Sequence, residues 1–444
     1  VLIRFTVEKF LSFNQRIDFN MLASDEERHP HHVVHLDNPQ KRQILRTSVL
    51  YGANASGKSN LIKAIAFAKE LIVHGVDKGK NINLKPFKLA ENDFNQPARF
   101  EFEFTVAHKT YAYGFIVNKQ RVCEEWLFDI GQIEEQSIFE RREQNINFDY
   151  KHAIFTNISE QEKQRLEFEA KGTRENLLFL TNCLERNIKR FNFIYQWFSE
   201  KLIVIFPHSK NQFITTFAQF NEQLFNQMLN FCDFGIKRIH LEKINFEQDK
   251  DIPQNIKEQI KADFPYGEDK AQFISLTDFN YILQEEHETL QASKIFMVRE
   301  NRKHQDILFE LFEESDGTRR IIDLIPMLMS LYQNDADVVI IDELERSLHT
   351  LLSKKLFELI LNHENFNNNS QLIATTHEVN LLDIQSLFRK DEIWFVEKDE
   401  FQQTTIYSLA GADIDKLNLT NGYLNGRFGA IPFIGNIDSL GWRK

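Results

Sequence analysis

Residues 52–59 read Gly52, Ala53, Asn54, Ala55, Ser56, Gly57, Lys58 and Ser59, the spacing G-x-x-x-x-G-K-[ST]. The glycines free the backbone to wrap a phosphate, and the N–H groups at the start of a following helix point at it. Lys58 brings a point charge to the β and γ phosphates, and Ser59 offers a hydroxyl to Mg²⁺. Gly52, Asn54, Ala55, Ser56, Gly57, Lys58, Ser59 and Asn60 are therefore the residues expected to touch ATP. Far along the chain, Asp337 leads the apolar run Val338 to Ile341 into Asp342 and Glu343. Acids at the C-terminal end of a buried strand sit where ligands bind in parallel sheets. Asp342 would hold Mg²⁺, with Ser59, and Glu343 would orient a water and accept its proton. After a further apolar run, Thr375 and Thr376 precede His377, which could reach a γ-phosphate. Ser315, Gly317 and Thr318 precede a helix-like run from Ile321 and would make a second anion site. Each has an ordinary alternative: a chance loop, an acidic turn, a surface histidine, a plain helix cap.

The elements that must position these residues are legible in the periodicity. The run 48–51 is a short apolar strand, and behind the loop Leu61, Ile65, Ala68 and Ile72 fall on one helical face, with Gly75 as the stop. Period two marks 1–8, 16–21 and a set of antiparallel hairpins over 98–130. From 159 to 300 the composition turns to Glu, Gln, Lys and Asn, with helical spacing over 177–198 and 217–232. The expectation is an α/β protein with an antiparallel β subdomain and a mostly helical insertion. Its parts are an N-terminal lobe 1–155, an insertion 156–300 and a C-terminal lobe 301–444. Strands are expected at 337–341, 371–374, 393–396 and 405–409, with a helix at 351–361.

Other clusters carry weaker signals. His29, His31, His32 and His35 crowd one loop beside Asp25, Glu26, Glu27 and Asp37. Metal binding is one reading and a solvated polar loop the other. Arg186, Lys189 and Arg190, or Arg299, Arg302, Lys303 and His304, could form a basic face for DNA or a partner, against the default of solvated helix charge. Arg319 and Arg320 stand beside the Ser-Gly segment and could contact ATP across a dimer.

Composition narrows the class. The chain has 444 residues, 42% hydrophobic and 27% charged, an ordinary globular balance. Its formal charge of −12 gives nucleic-acid binding no support, although a local basic groove is compatible with an acidic body. Cys123, Cys183 and Cys232 lie far apart with no CxxC pair, which suits a reduced, cytoplasmic setting. There is no long apolar run and no signal-peptide pattern at the start, so no membrane contact is expected. The 41 phenylalanines have no explanation at this level.

The order phosphate loop, Ser-Gly segment, Asp-Glu strand, histidine resembles the ABC-type ATPases, where these are Walker A, signature, Walker B and switch histidine. The resemblance implies that two chains hold two ATPs head to tail, with Ser315, Gly317 and Thr318 acting on the partner's nucleotide. The lid glutamine has no identifiable counterpart. More narrowly, the opening IRFTVEKFLSFNQRIDF resembles the N-terminal hairpin of ATPases of the OLD and recombination-mediator branch. Leu344 to His349 resembles the pattern that follows the Walker B acids in that branch, with Leu344 in place of a proline, and the stretch 389–396 resembles OLD-like ATPase lobes. The tail 423–432 is similar to that of stand-alone OLD-like AAA ATPases. Members of that group sit in anti-phage or abortive-infection systems of the PARIS, Septu or retron-associated kind. There the ATPase accompanies a separate nuclease or toxin, often Toprim or HNH, and a phage component is the trigger. Only 67 residues follow His377 (444 − 377), too few for a Toprim domain, and no acidic nuclease cluster is evident. The competing expectation is a DNA-repair ATPase of the recombination-mediator or SMC type. The missing zinc-hook CxxC weighs against its zinc-hook form, and a transporter subunit fits worse still.

Overall fold

A computed structural model describes residues 1–444 except 37–38, 91–95, 209–221, 233–234, 250–251, 265–270, 276–279, 287–288, 363–368, 413–418 and 432–444. Asp37, the start of the 217–232 helix and the end of the 423–432 tail lie outside the described residues. The chain forms two units: residues 1–205, 335–344 and 357–444, and residues 206–334 and 345–356.

The first unit contains two large sheets. One has six strands in the order Leu202–Ile205, Val338–Ile341, Gln371–Thr375, Thr47–Tyr51, Ile393–Lys398, Thr404–Ser408. The first five run parallel and only the last edge strand is antiparallel. Unbroken apolar runs suit strands covered on both faces, and every residue of 47–51, 338–341 and 371–375 is buried. The helix Lys58–Val73 follows the 47–51 strand, and its Leu61, Ile65, Ala68 and Ile72 are all buried. Gly75 ends it in the left-handed region at φ 64°, its N–H donating to Leu71 O at 3.1 Å.

The other sheet has seven antiparallel strands: Asn145–Phe148, Gln136–Arg142, Val122–Asp129, Lys109–Val117, Ala98–Val106, Leu2–Glu8 and Ile17–Asn20. The phenylalanines find their use here. Phe5, Phe100, Phe102 and Phe104 are fully buried. Phe102 and Phe104 pack on Trp197 and Phe198, the Phe104–Trp197 centroids lying 4.2 Å apart. A fully buried Glu125 adds a polar tie, accepting from Phe179 N (2.6 Å), Leu180 N (3.1 Å) and Tyr113 Oη (2.9 Å). The two amides open the helix Phe179–Glu185, so the carboxylate caps that helix from the sheet. Arg141, equally buried, donates to Leu177 O at 2.7 Å.

These contacts move the expected boundary. The helical stretch from 160 to 201 belongs with the first unit, not with an insertion beginning at 156, because its aromatic face completes the core of the seven-stranded sheet. The second unit is also less helical than expected. It holds the antiparallel strands Arg238–Ile244, Ala271–Ser275, Asn280–Glu286, Thr289–Glu300 and Asp306–Glu310, together with the helices Glu222–Phe231, Gln254–Asp263 and Asp316–Tyr332. Its apolar cluster of Phe246, Ile252, Ile260, Phe264, Tyr281, Leu283 and Ala292 draws on helix, loop and strand together. A mixed pattern of this kind hides the period of each element from the sequence.

Candidate nucleotide site

The phosphate loop leaves the 47–51 strand and ends at Gly57, the N-cap of the helix at φ 118°. Ala55 is also left-handed, at φ 64°. Neighbouring elements also hold the loop by close approach. A Cβ on Gly52 would meet the Val396 carbonyl, and one on Gly57 would meet the Thr404 side chain. Thr404 Oγ1 donates to Ser56 O at 2.8 Å and lies 2.7 Å from Ser12 Oγ. Asn60 Nδ2 donates to the same Ser12 hydroxyl at 2.8 Å. Asn54 and Ala55 are exposed at the tip, whereas Ser56, Gly57 and Lys58 are buried.

Lys58 Nζ donates to Gly52 O at 2.6 Å and Ala53 O at 3.1 Å, and lies 3.4 Å from His377 Nδ1. The loop's own carbonyls thus fix the ammonium at its centre. Ser59 Oγ donates to Asp342 Oδ1 at 3.0 Å, joining two residues 283 positions apart. The 371–375 strand lies between the strands that carry the loop and the acids, and its last residue bridges them. Thr375 Oγ1 donates to Asp342 Oδ1 at 2.6 Å and accepts from Glu343 N at 2.8 Å. Glu343 adopts φ 50°, a costly value for a side-chain-bearing residue that is typical of functional positions. Leu344 N donates to Thr375 O at 3.1 Å, a bond that a proline at this position would forfeit.

The Ser315 segment lies in the second unit. Ser315 is exposed and caps the helix Asp316–Tyr332, its Oγ accepting from Thr318 N at 3.2 Å and lying 2.9 Å from Thr318 Oγ1. Gly317 is required by packing, since a Cβ would sit 2.6 Å from Ser347 O. Arg320 is buried, with Nη1 donating to Phe206 O at 3.4 Å, and Arg319 pairs with Asp316 at 2.5 Å. Several residues of the basic runs face acids: Arg186 faces Glu169, Arg190 faces Glu162, Arg299 pairs with Glu314 and His304 with Glu300.

Lys58, Ser59, Asp342, Glu343 and His377 are thus brought together around one loop, while Ser315, Gly317 and Thr318 form a separate helix start. Thr375 was part of a recognised motif, but its bridging role needs the sheet order. Ser12 and Thr404 carry no sequence signal, since isolated hydroxyls become loop anchors only through the fold.

A phosphate loop feeding a helix from a parallel strand, with an acidic pair two strands away, is the arrangement of a P-loop nucleotide-binding domain. The chain belongs to the family described as "AAA domain, putative AbiEii toxin, Type IV TA system", which matches residues 48–383. No curated protein matches it. Similar solved structures include the SMC head domain from Thermotoga maritima, at 14% identity and TM-score 0.38, covering 92% of this chain and 98% of that one. The SmcHead bound to the C-winged helix domain of ScpA is 12% identical at TM-score 0.41, covering 92% and 97%. The Smc head domain with an extended coiled coil bound to the C-terminal domain of ScpA derived from Pyrococcus furiosus is 13% identical at TM-score 0.40, covering 92% and 96%. Among the described residues no helix is long and apolar enough to cross a membrane.

Proposed function

We propose that this chain binds ATP with Mg²⁺ at the 52–60 loop and hydrolyses it. The observation that carries this reading is the bonded chain from Ser59 through Asp342 and Thr375 to Glu343, with Lys58 beside His377. The donor set fits the nucleotide: an ammonium, loop N–H groups and a buried Ser56 hydroxyl without a hydrogen-bond partner. Bound Mg²⁺ supplies charge neutralisation for the phosphates. Ser59 and Asp342 would hold it, a hard cation that takes oxygen ligands. Glu343 orients the attacking water and takes its proton, and His377 sits where a γ-phosphate is sensed.

The Ser315, Gly317 and Thr318 helix start serves the nucleotide of a second copy, so that ATP closes a head-to-tail homodimer and hydrolysis reopens it. In the cytoplasm this cycle makes the chain the sensor or scaffold subunit of an anti-phage system. It holds a separate nuclease or toxin of Toprim or HNH type until a phage trigger arrives. The family's description as an AAA domain of a toxin–antitoxin system supports that setting.

The test is to purify Glu343→Gln with ATP from cells carrying the native neighbouring genes and to identify stoichiometric companions by mass spectrometry. A nuclease or toxin chain is expected. Retained DNA without a protein partner would replace the defence reading with a DNA-repair role of the recombination-mediator or SMC kind.

A further inference from the structure

Away from the nucleotide loop, the segment 29–32 gathers three imidazoles. His29 lies at φ 49°, Pro30 starts a short 3-10 turn, and Pro30–His32 delivers His31 and His32 to the same place. One ring nitrogen from each of His29, His31 and His32 lies within 4.8 Å of the others, the sole such group of metal-ligating side chains among the described residues. His35, from the same histidine-rich stretch, is not part of it. Ring centroids are separated by 4.4, 4.9 and 5.9 Å. Three imidazoles on a tetrahedral cation, with metal–nitrogen bonds of about 2.0–2.1 Å, have centroids roughly 5 Å apart and nitrogens roughly 3.3 Å apart. The spacing is close to that arrangement. The remaining closure is a rotation of His29, which is half-buried, and His31, which is exposed.

Two further observations point to a ligand. His29 Nε2 is buried and has no hydrogen-bond partner, an arrangement that costs free energy unless something binds there. His32, fully buried, directs Nδ1 to the Glu392 carboxylate at 3.0 and 3.2 Å. A carboxylate on one ring nitrogen fixes the tautomer and presents the other as a lone pair, the usual backing of a metal-bound histidine. His31 Nε2 rests 2.6 Å from Asn362 Oδ1, leaving its other nitrogen available. Of the two cations beside His32, Arg389 is paired with Asp391 at 2.7 Å, and Arg46 donates to the carbonyls of Leu361 and Ile360 at 3.0 and 2.8 Å. Within this segment His32 is buried, whereas His31 and His35 are exposed, as expected of a solvated polar loop.

We propose that His29, His31 and His32 form a three-histidine site for a divalent transition cation of the zinc class, with water as the fourth ligand and Glu392 orienting His32. The cation would tie the 29–32 turn to the segment that leads into the 393–398 strand of the nucleotide sheet. The site is independent of ATP chemistry.

Cobalt is the probe. The full chain, freed of any polyhistidine tag, is stripped with chelator and titrated with Co²⁺ in the absence of nucleotide and Mg²⁺. Visible absorption reads the site, and Zn²⁺ is then added to displace the cobalt. One Co²⁺ per chain, displaced by Zn²⁺ and unchanged in Lys58→Ala, is expected. The double variant His29→Asn, His31→Ala should lose it while keeping the melting temperature of the metal-free chain, because both side chains reach solvent and asparagine tolerates the left-handed backbone. Glu392→Gln should weaken cobalt binding by about ten- to a hundredfold. Absence of a cobalt spectrum in the intact chain, or undiminished binding in the double variant, overturns the proposal.

Discussion

The two units build their candidate phosphate sites in different ways. In the first, the candidate nucleotide site is tied together largely by bonds between residues distant in sequence: Ser59 to Asp342, Thr404 to Ser56, Asn60 to Ser12, Thr375 to Asp342 and Glu343. Three buried parallel strands set those distances before any ligand arrives. In the second, the Ser315 segment is bonded to itself, the serine capping a helix three residues on. A preorganised site of the first kind can bind and act on one nucleotide alone. A helix start of the second kind offers N–H groups and a hydroxyl but no counterpart to Lys58 or Asp342, and needs a phosphate delivered to it. That contrast supports the proposal that this helix start is completed by another copy of the chain.

The predictions test that contrast in descending size. Glu343→Gln should slow phosphate release by about 10²–10³-fold, as for loss of a group acting in the transition state. Its ATP binding should persist, with a dimer trapped in light scattering; wild-type turnover would remove Glu343 from the chemistry. Lys58→Ala should weaken nucleotide binding by roughly a hundredfold, the upper range for a charged hydrogen-bonding group, measured by fluorescent-nucleotide titration. Ser315→Arg should abolish ATP-driven dimerisation in analytical ultracentrifugation while single-chain binding stays within about a factor of two. If dimers persist, the second unit contributes nothing in trans. Thr375→Val leaves Asp342 and Glu343 without their bridge, and about 1–3 kcal/mol of lost hydrogen bonding should appear as an approximately tenfold or larger fall in turnover at unchanged nucleotide affinity. Thr404→Val should be mildest, about 1 kcal/mol off unfolding stability with a modest rise in nucleotide dissociation constant, read by denaturant melts.

Much of the first unit was legible because its elements are strongly periodic. The strands 338–341 and 371–375, the helix behind the loop and its stop at Gly75 all stand within a residue or two of their expected places. The region from 159 to 300 differs from the expected helical insertion in two respects. Its first part joined the aromatic core of the seven-stranded sheet, and its second carried a strand-rich sheet whose short elements share one mixed apolar cluster. Neither fact has a local signature, because whether an amphipathic segment packs on one core or another depends on what lies opposite.

The sequence by itself determined which residues can handle phosphate and cation, since glycine freedom, the lysine charge and a strand ending in two acids are properties of residue type and spacing. It also determined the parallel strands, because residues covered on both faces must be apolar without interruption. Only the tertiary structure decided that Thr375 bridges the two acids, that Thr404 and Ser12 anchor the loop, that Gly317 is packed against a carbonyl, and that three histidines converge in front of a buried carboxylate. Each depends on a distance between segments tens to hundreds of residues apart, and such distances are fixed by strand order and core packing, not by the local chain.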